Sequence, residues 1–294
     1  MKEAFHETKT HGSIEFPFII YRGNIPEYIH SFPLHWHEEF EIIYVTDGTG
    51  TIQVLNKTYQ CHPGDIIIIP PDYIHSIYQY KNEKMEYFNI LFKFSLLEEN
   101  RNSLCFRKYF VLFQENNMLH CIYNPSSSDL GRKITPYLLS LIENRKASYT
   151  GYELMIKSCL FGVLYYLKDY LIPTTGKYLI LENRITRLKP IIAYIQEHYA
   201  ESISIEKAAS VSNISASHFM KTFKDIIGKT FTQYLNCFRL ETAVRELMET
   251  DKSVMEISED CGFNNFSYFI RSFKRSFGKT PLEYRHSMSP ENPV

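Results

Sequence analysis

The chain contains one device twice. Residues 218–235 read HFMKTFKDIIGKTFTQYL, and 50 positions later residues 268–285 read YFIRSFKRSFGKTPLEYR, with Phe, Phe, Lys, Gly, Lys, Thr and Tyr in common. Each copy sets an apolar pair one helical turn apart, Phe219 with Phe223 and Phe269 with Phe273. Basic residues stand beside each pair, Lys221 and Lys224 in one copy and Arg271 and Lys274 in the other, and both copies stop at Gly-Lys-Thr. That spacing describes a helix with one buried and one cationic face, made twice.

Upstream residues make each copy more specific. In the second, Ser253 and Glu256 form a capping box for a short helix carrying Ile257. Cys261-Gly262-Phe263 supplies a sharp turn, and Asn265 caps a helix predicted from about Phe266 to Phe277. In the first, Ser204 caps a helix containing Ala208 and Ala209, Ser212-Asn213 makes the turn, and Ser215 caps the next helix at the same offset from Asn265. A short helix, a tight turn and a second, basic helix form a helix-turn-helix, the arrangement that lays a recognition helix in the DNA major groove.

With Phe219 and Phe223 buried, the helical period puts Ser217 and Lys221 on the far side and His218 on the flank. The same construction turns Ser267, Arg271 and Lys274 outward. The formal charge of the chain is −1, which argues against indiscriminate binding of nucleic acid through a bulk field. From Asn265 to Arg285, however, Arg271, Lys274, Arg275, Lys279 and Arg285 oppose only Glu283. The acids Glu241, Glu246, Glu249 and Asp251 mark a helix and loop turned away from phosphate.

Residues from about Leu188 to Met288 resemble the DNA-binding domain of AraC/XylS-type transcription regulators, and Gly262 to Arg285 is close to that family's C-terminal signature. The resemblance implies that Ser217, His218, Lys221, Phe266, Ser267 and Arg271 face bases, with Lys224, Lys274 and Arg275 on the backbone. It also implies double-stranded promoter DNA as partner, a homodimer, and RNA polymerase as a further partner of an activator.

Before this region the pattern is β-rich. Phe40–Thr46, Thr51–Leu55, Thr58–Cys61, Ile66–Ile69, Ile74–Tyr80 and Glu86–Phe94 read as strands separated by Gly, Pro, Asp and Asn turns, as in a sandwich or small barrel. The order of motifs resembles a cupin barrel, specifically the sensor domain of AraC-type regulators. His35, His37, Glu41 and Gly48 meet the first cupin motif, with Ile29 in place of its initial Gly. Gly64, Pro70 and His75 meet the second, with Asp72 in place of a Gly and Gln79 in place of an Asn. In metal-binding cupins the three His and the Glu hold one divalent ion, and such a donor set suits Zn, Ni, Fe or Mn. In many sensor cupins the same places are a polar lining for a small effector, for which a carbohydrate is the leading candidate. The competing function is a metal-dependent cupin enzyme, a sugar isomerase or dioxygenase, which leaves the duplicated helix-turn-helix unexplained.

The expected fold is α+β, with a cupin-like β-barrel over residues 1–125, a helical dimerisation segment and linker over 126–182, and an all-α DNA-binding domain over 183–294. A length of 294 residues suits about two domains at ~100–200 residues each. Ser126 to Asp129 offer caps for a helix with Leu130, Ile134, Leu138, Leu139 and Ile142 in register. A second run from Tyr152 to Leu171 carries Leu154, Ile156, Leu160, Val163, Leu164 and Leu167. The resemblance implies that this pair packs on the barrel and forms a dimer interface; burial against the barrel alone is the alternative. Pro173 to Gly176 reads as the linker. The sequence carries no transmembrane run and no leader, so a cytoplasmic protein is expected, with Cys61, Cys105, Cys121, Cys159, Cys237 and Cys261 as free buried thiols.

Overall fold

In the computed structural model, residues 11–26, 31–81, 83–97, 102–114, 121–145, 149–170 and 176–288 are described. The β-rich region forms nine strands among them: β1 (Phe18–Ile25), β2 (Ser31–His35), β3 (Phe40–Gly48), β4 (Gly50–Val54), β5 (Lys57–Cys61), β6 (Ile66–Ile69), β7 (His75–Gln79), β8 (Met85–Phe92) and β9 (Ile122–Asn124). They make two antiparallel sheets, ordered β1-β8-β3-β6-β9 and β2-β7-β4-β5. Among the described residues no ladder joins the sheets, so the barrel is open. The edge strands β5 and β9 meet instead through side chains, with the rings of Tyr59 and Tyr123 5.3 Å apart.

Strand alternation assigns the two faces of the larger sheet. Phe18, Phe40, Ile42, Ile66, Ile68, Ile90 and Phe92 point to one side and share a core with helices. Glu41 points to the other side, where it meets His75 of the second sheet. A turn at Phe106–Phe110 leads into α1 (Val111–Gln114). After β9 come α2 (Asp129–Glu143), capped by the Ser128 hydroxyl accepting from the Gly131 N–H at 2.9 Å, and α3 (Tyr152–Leu167), which tightens into a 3-10 turn over Lys168–Tyr170.

The helical pair is not a unit of its own. Leu130, Ile134, Leu138 and Leu141 of α2 and Ile156, Leu160, Val163 and Leu167 of α3 join the core of the sheet. Each such side chain contributes roughly 1.5–3 kcal/mol by leaving water, so packing within the domain accounts for most of the apolar pattern. Two residues assigned to that pattern belong elsewhere: Leu139 is 40% and Leu154 is 73% exposed. The α2 core instead takes Leu141, because 130, 134, 138 and 141 follow one stripe of the helix whereas 139 is turned about 100° from its neighbour.

The chain divides into two compact units, residues 1–185 and 186–294, and the division falls inside α4 (Gly176–His198). Helix thus begins at the predicted linker, whose Pro173 to Thr175 lie outside the described residues, as do Ile29 and His120. The second unit continues with α5 (Ile205–Val211), α6 (Ala216–Ile227), α7 (Phe231–Glu249), α8 (Val254–Asp260), α9 (Phe266–Phe277) and α10 (Pro281–Met288). Ser204, Ser215, Ser253 and Asn265 cap α5, α6, α8 and α9, and Ser253 with Glu256 makes the full capping box.

The repeated Gly-Lys-Thr has a double role. Gly228 and Gly278 take φ of 77° and 76°, ending α6 and α9 in left-handed C-caps. Thr230 and Thr280 then start the next helix through reciprocal bonds with Gln233 and Glu283. Phe219 and Phe223 pack with Phe231, and Phe269 and Phe273 pack with Tyr284 and the α7 residues Leu240, Val244 and Leu247. Among the described residues no helix is long and apolar enough to cross a membrane. All six cysteines are free thiols; Cys61, Cys159 and Cys261 are buried, whereas Cys105 is exposed and Cys121 and Cys237 are partly so.

Candidate nucleic-acid interface and histidine cluster

The expected reading helices α6 and α9 are set by their own amphipathic pattern. Phe219, Phe223, Phe269 and Phe273 are fully buried, which turns Ser217, His218, Lys221 and Lys224 of α6 and Phe266, Ser267, Arg271, Lys274 and Arg275 of α9 to the surface. The two turns reach left-handed backbone by different residues. Asn213 adopts φ 52° in the first, and Gly262 adopts φ 80° in the second. Only glycine fits there, because a Cβ on Gly262 would lie 2.5 Å from the Ala200 carbonyl oxygen.

One cation counted toward the reading surface is engaged elsewhere. Arg285 donates from Nε to the Leu247 carbonyl at 3.1 Å and from Nη2 to the Lys252 carbonyl at 2.7 Å, so two of its donors satisfy backbone at and beyond the end of α7. Arg239 does the same for the carbonyls of Tyr199 and Glu201, at 2.7 Å each. Met220 and Tyr268 are exposed on the same two helices, 48% and 40% respectively. Periodicity did not single them out, since each lies on a flank between the outward line and the core.

In the first unit, His35, His37, Glu41 and His75 converge. All are at most 5% exposed, and the ligand atoms of the three histidines lie within 4.8 Å of one another. The His75 and His37 Nε2 atoms stand 2.7 and 3.2 Å from Glu41 Oε2. Each Nδ1 faces a backbone carbonyl: His35 to Pro33 at 2.8 Å, His37 to Glu39 at 3.2 Å and His75 to Tyr73 at 2.7 Å. A carbonyl only accepts, so Nδ1 carries the proton and, in the neutral rings, Nε2 is left as a lone pair. This is the outer-shell arrangement that orients imidazoles as ligands.

Burial and the mutual closeness of these groups set their electrostatics. Burial holds the His35 imidazole well below its usual range, and His75 and His37 lower it further. Burial alone would raise the Glu41 carboxyl, but His75 and His37 hold it well below the usual carboxylate range. Glu41 Oε1 has no hydrogen-bond partner among the described residues. With Nδ1 tied to a carbonyl, Nε2 meets the carboxylate either as a donor, in the imidazolium, or as a lone pair in the neutral ring, and three nitrogens with one oxygen form a donor set that fits a divalent metal ion.

Two family models match this organisation. An AraC-like ligand binding domain covers residues 24–142 and a helix-turn-helix domain covers residues 208–287. The chain belongs to the AraC-type family of transcription regulators. It is 24% identical over 284 residues to the uncharacterized HTH-type transcriptional regulator YdeC of Bacillus subtilis (strain 168), covering 95% of each chain. It is 28% identical over 259 residues to the HTH-type transcriptional activator RhaS of Enterobacter sp. (strain 638), covering 87% of this chain and 88% of that one. Among solved structures, unsaturated fatty acid bound ToxT from Vibrio cholerae strain SCE256 is 12% identical, with a TM-score of 0.46 over 94% of this chain and 97% of that one. The AraC-type relatives are regulators, so the chain is a DNA-binding regulator with a ligand-binding domain rather than a cupin enzyme.

Within the AraC-type ligand-binding domain, the motif departure at Asp72 has a conformational explanation. Asp72 sits at φ 68°, a backbone the motif's Gly adopts freely and Asp tolerates, and its N–H donates to the His37 carbonyl at 2.8 Å. A fourth histidine, missed in the sequence, approaches the cluster: the His11 ring lies 5.8 Å from that of His37, and its Nδ1 is 3.2 Å from the Tyr21 hydroxyl. It lies outside both motifs, so no local pattern marks it. His62 is exposed beside Asp65, and His198 pairs with Glu201 in the second unit.

Proposed function

We propose that this regulator binds a small polar effector, a carbohydrate or related metabolite, in the open barrel, and that it reads promoter DNA with α6 and α9 in successive major grooves. The observation that carries the DNA reading is the pair of exposed basic faces on two capped helices with buried Phe pairs. Ser217, His218, Lys221, Phe266, Ser267 and Arg271 face bases; Lys224, Lys274 and Arg275 meet phosphate. Relatives named as activators support RNA polymerase as a further partner.

A divalent ion, Zn, Ni, Fe or Mn, is held by His35, His37, His75 and Glu41. When bound it supplies a Lewis-acidic point for an oxygen of the effector. The closeness of the three histidine ligand atoms, two of them against the Glu41 carboxylate, supports this reading.

The chain pairs with a second copy through the outer face of α3. Leu154, Ser158, Phe161 and Tyr165 recur at the four-three-four spacing of a two-helix seam and are exposed, with Leu154 at 73%, Phe161 at 41% and Tyr165 at 60%.

The test is a thermal-shift screen of metabolites and metals on the full chain, followed by DNA binding with each hit, since a ligand specific to the folded state raises stability by mass action. A polyol or sugar that stabilises the protein and changes its affinity for selected DNA supports the reading; hits confined to apolar ligands overturn the effector class.

A further inference from the structure

We infer that the Tyr268 hydroxyl, held by Asn236, donates a hydrogen bond to a DNA phosphate lying between the two reading helices. The inference rests on the reading that α6 and α9 enter successive major grooves. Asn236 belongs to the first half of α7, whose start packs on the first helix-turn-helix: Phe231 and Tyr234 lie against Phe223, with ring centroids 5.6 and 5.5 Å apart. Tyr268 belongs to the first turn of α9, where its own N–H is capped by Asn265 Oδ1 at 2.8 Å. Asn236 Nδ2 donates to Tyr268 Oη at 3.0 Å, so one side chain of the first unit fixes an aromatic side chain of the second reading helix.

The geometry selects phosphate over a base edge. Ser267 and Arg271 define the outward line of α9, and Tyr268 leaves that line toward α7 while remaining 40% exposed. Recognition helices in successive major grooves stand about 34 Å apart, and we place the backbone between those grooves beside α7, which joins the two units. The hydroxyl accepts from Asn236, which leaves its proton for an outside acceptor. Tyrosine is among the neutral donors that fix register on phosphate without carrying sequence information.

The sequence repeat does not predict this contact. The counterpart of Tyr268 in the first copy is His218, whose side chain makes no hydrogen bond among the described residues. Two further contacts hold the same joint. The Arg239 guanidinium lies 5.9 Å from the Phe263 ring centroid while bonding the carbonyls of Tyr199 and Glu201, and Gly262 packs against the Ala200 backbone. Asn236 and Tyr268 are therefore presented at a fixed position relative to both reading helices.

The test uses the full chain and a duplex that it recovers from a random-sequence library, scanned with single neutral methylphosphonates. At one phosphate between the two protected grooves, neutralisation should cost the wild type about tenfold more affinity than it costs Tyr268→Phe, the size expected of one hydrogen bond to a charged group. Asn236→Leu should lose sensitivity at that same phosphate. Tyr268→Phe should weaken selected and random DNA by the same factor and leave the salt slope unchanged, because tyrosine displaces no counterion. A Tyr268→Phe protein with the wild type's full phosphate profile overturns the inference, whatever its overall affinity. A wild type that recovers no duplex overturns the major-groove reading beneath it, and the inference with it.

Discussion

Glu41 and His75 meet across the two sheets of the ligand-binding domain, with Oε2 2.7 Å from Nε2, while the other nitrogen of the same ring is tied to the Tyr73 carbonyl at 2.7 Å. Nδ1 donates to the backbone, and Nε2 is the ring atom that meets the carboxylate; these two atoms are ligands of the proposed metal site. His37→Ala and Glu41→Ala should each abolish stoichiometric metal in the purified protein, measured by elemental analysis, because loss of one ligand in four opens the site. A metal-free wild type that responds fully to its effector would leave the polar-lining reading in place.

Arg271 stands on the outward line of α9, and Lys274 lies nearly one turn further along. Arg271→Ala is expected to lower affinity for the selected site by roughly 1–3 kcal/mol and relax base preference at one position. Lys274→Ala should weaken all sequences alike and reduce the salt slope by about one. Titrations against selected and random duplexes at several salt concentrations separate the two; equal losses on both DNAs for Arg271→Ala would remove its base-reading role.

Leu154 and Tyr165 are exposed on the face of α3 proposed as the dimer seam and contribute no side chain to the buried core. Leu154→Lys with Tyr165→Lys should convert a dimer to a monomer by light scattering and leave the thermal midpoint of the monomer unit unchanged. The fragment 183–294 should protect one segment of two successive grooves as a monomer. The full chain should bind a repeated pair of such segments more tightly through effective concentration. Equal affinity of fragment and full chain for a tandem site refutes the arrangement.

Glu241 of α7 is only partly exposed, and burial pushes its carboxyl up to about 7, partly offset by Lys229 and Arg245. In the unfolded chain the same group titrates near ~4.3, so its stabilising contribution is complete below that value and is lost as pH rises through about 7. Glu241→Gln should therefore be more stable than the wild type at pH 8, on the order of 1–2 kcal/mol after solvent screening. Denaturant titrations between about pH 5 and pH 8 should show that advantage growing with pH; a constant difference would rule out the linkage.

Gly262→Ala combines positive φ with a Cβ 2.5 Å from the Ala200 oxygen. It should destabilise the DNA-binding unit by at least about 2 kcal/mol in a thermal melt. Asp72→Gly should be tolerated, whereas Asp72→Val, forced to φ 68°, should lower the melting temperature of the ligand-binding unit.

The sequence by itself determined the local parts. Caps, turns and apolar periods are short-range, so Ser215, Asn265 and the Phe pairs fixed α6 and α9, and the turn residues delimited most strands. His35, His37, Glu41 and His75 were legible because two motifs place them at fixed intervals. Tertiary structure decided what depends on contacts between residues far apart in the chain. It buried α2 and α3 on the sheet, exposed Leu139 and Leu154, left the barrel open between β5 and β9, and tied Arg285 to backbone carbonyls. It also brought His11 to His37 and Asn236 to Tyr268. Helical or strand periodicity reports which face of an element is apolar, and it carries no information about which distant element covers that face or which donor its polar flank will meet.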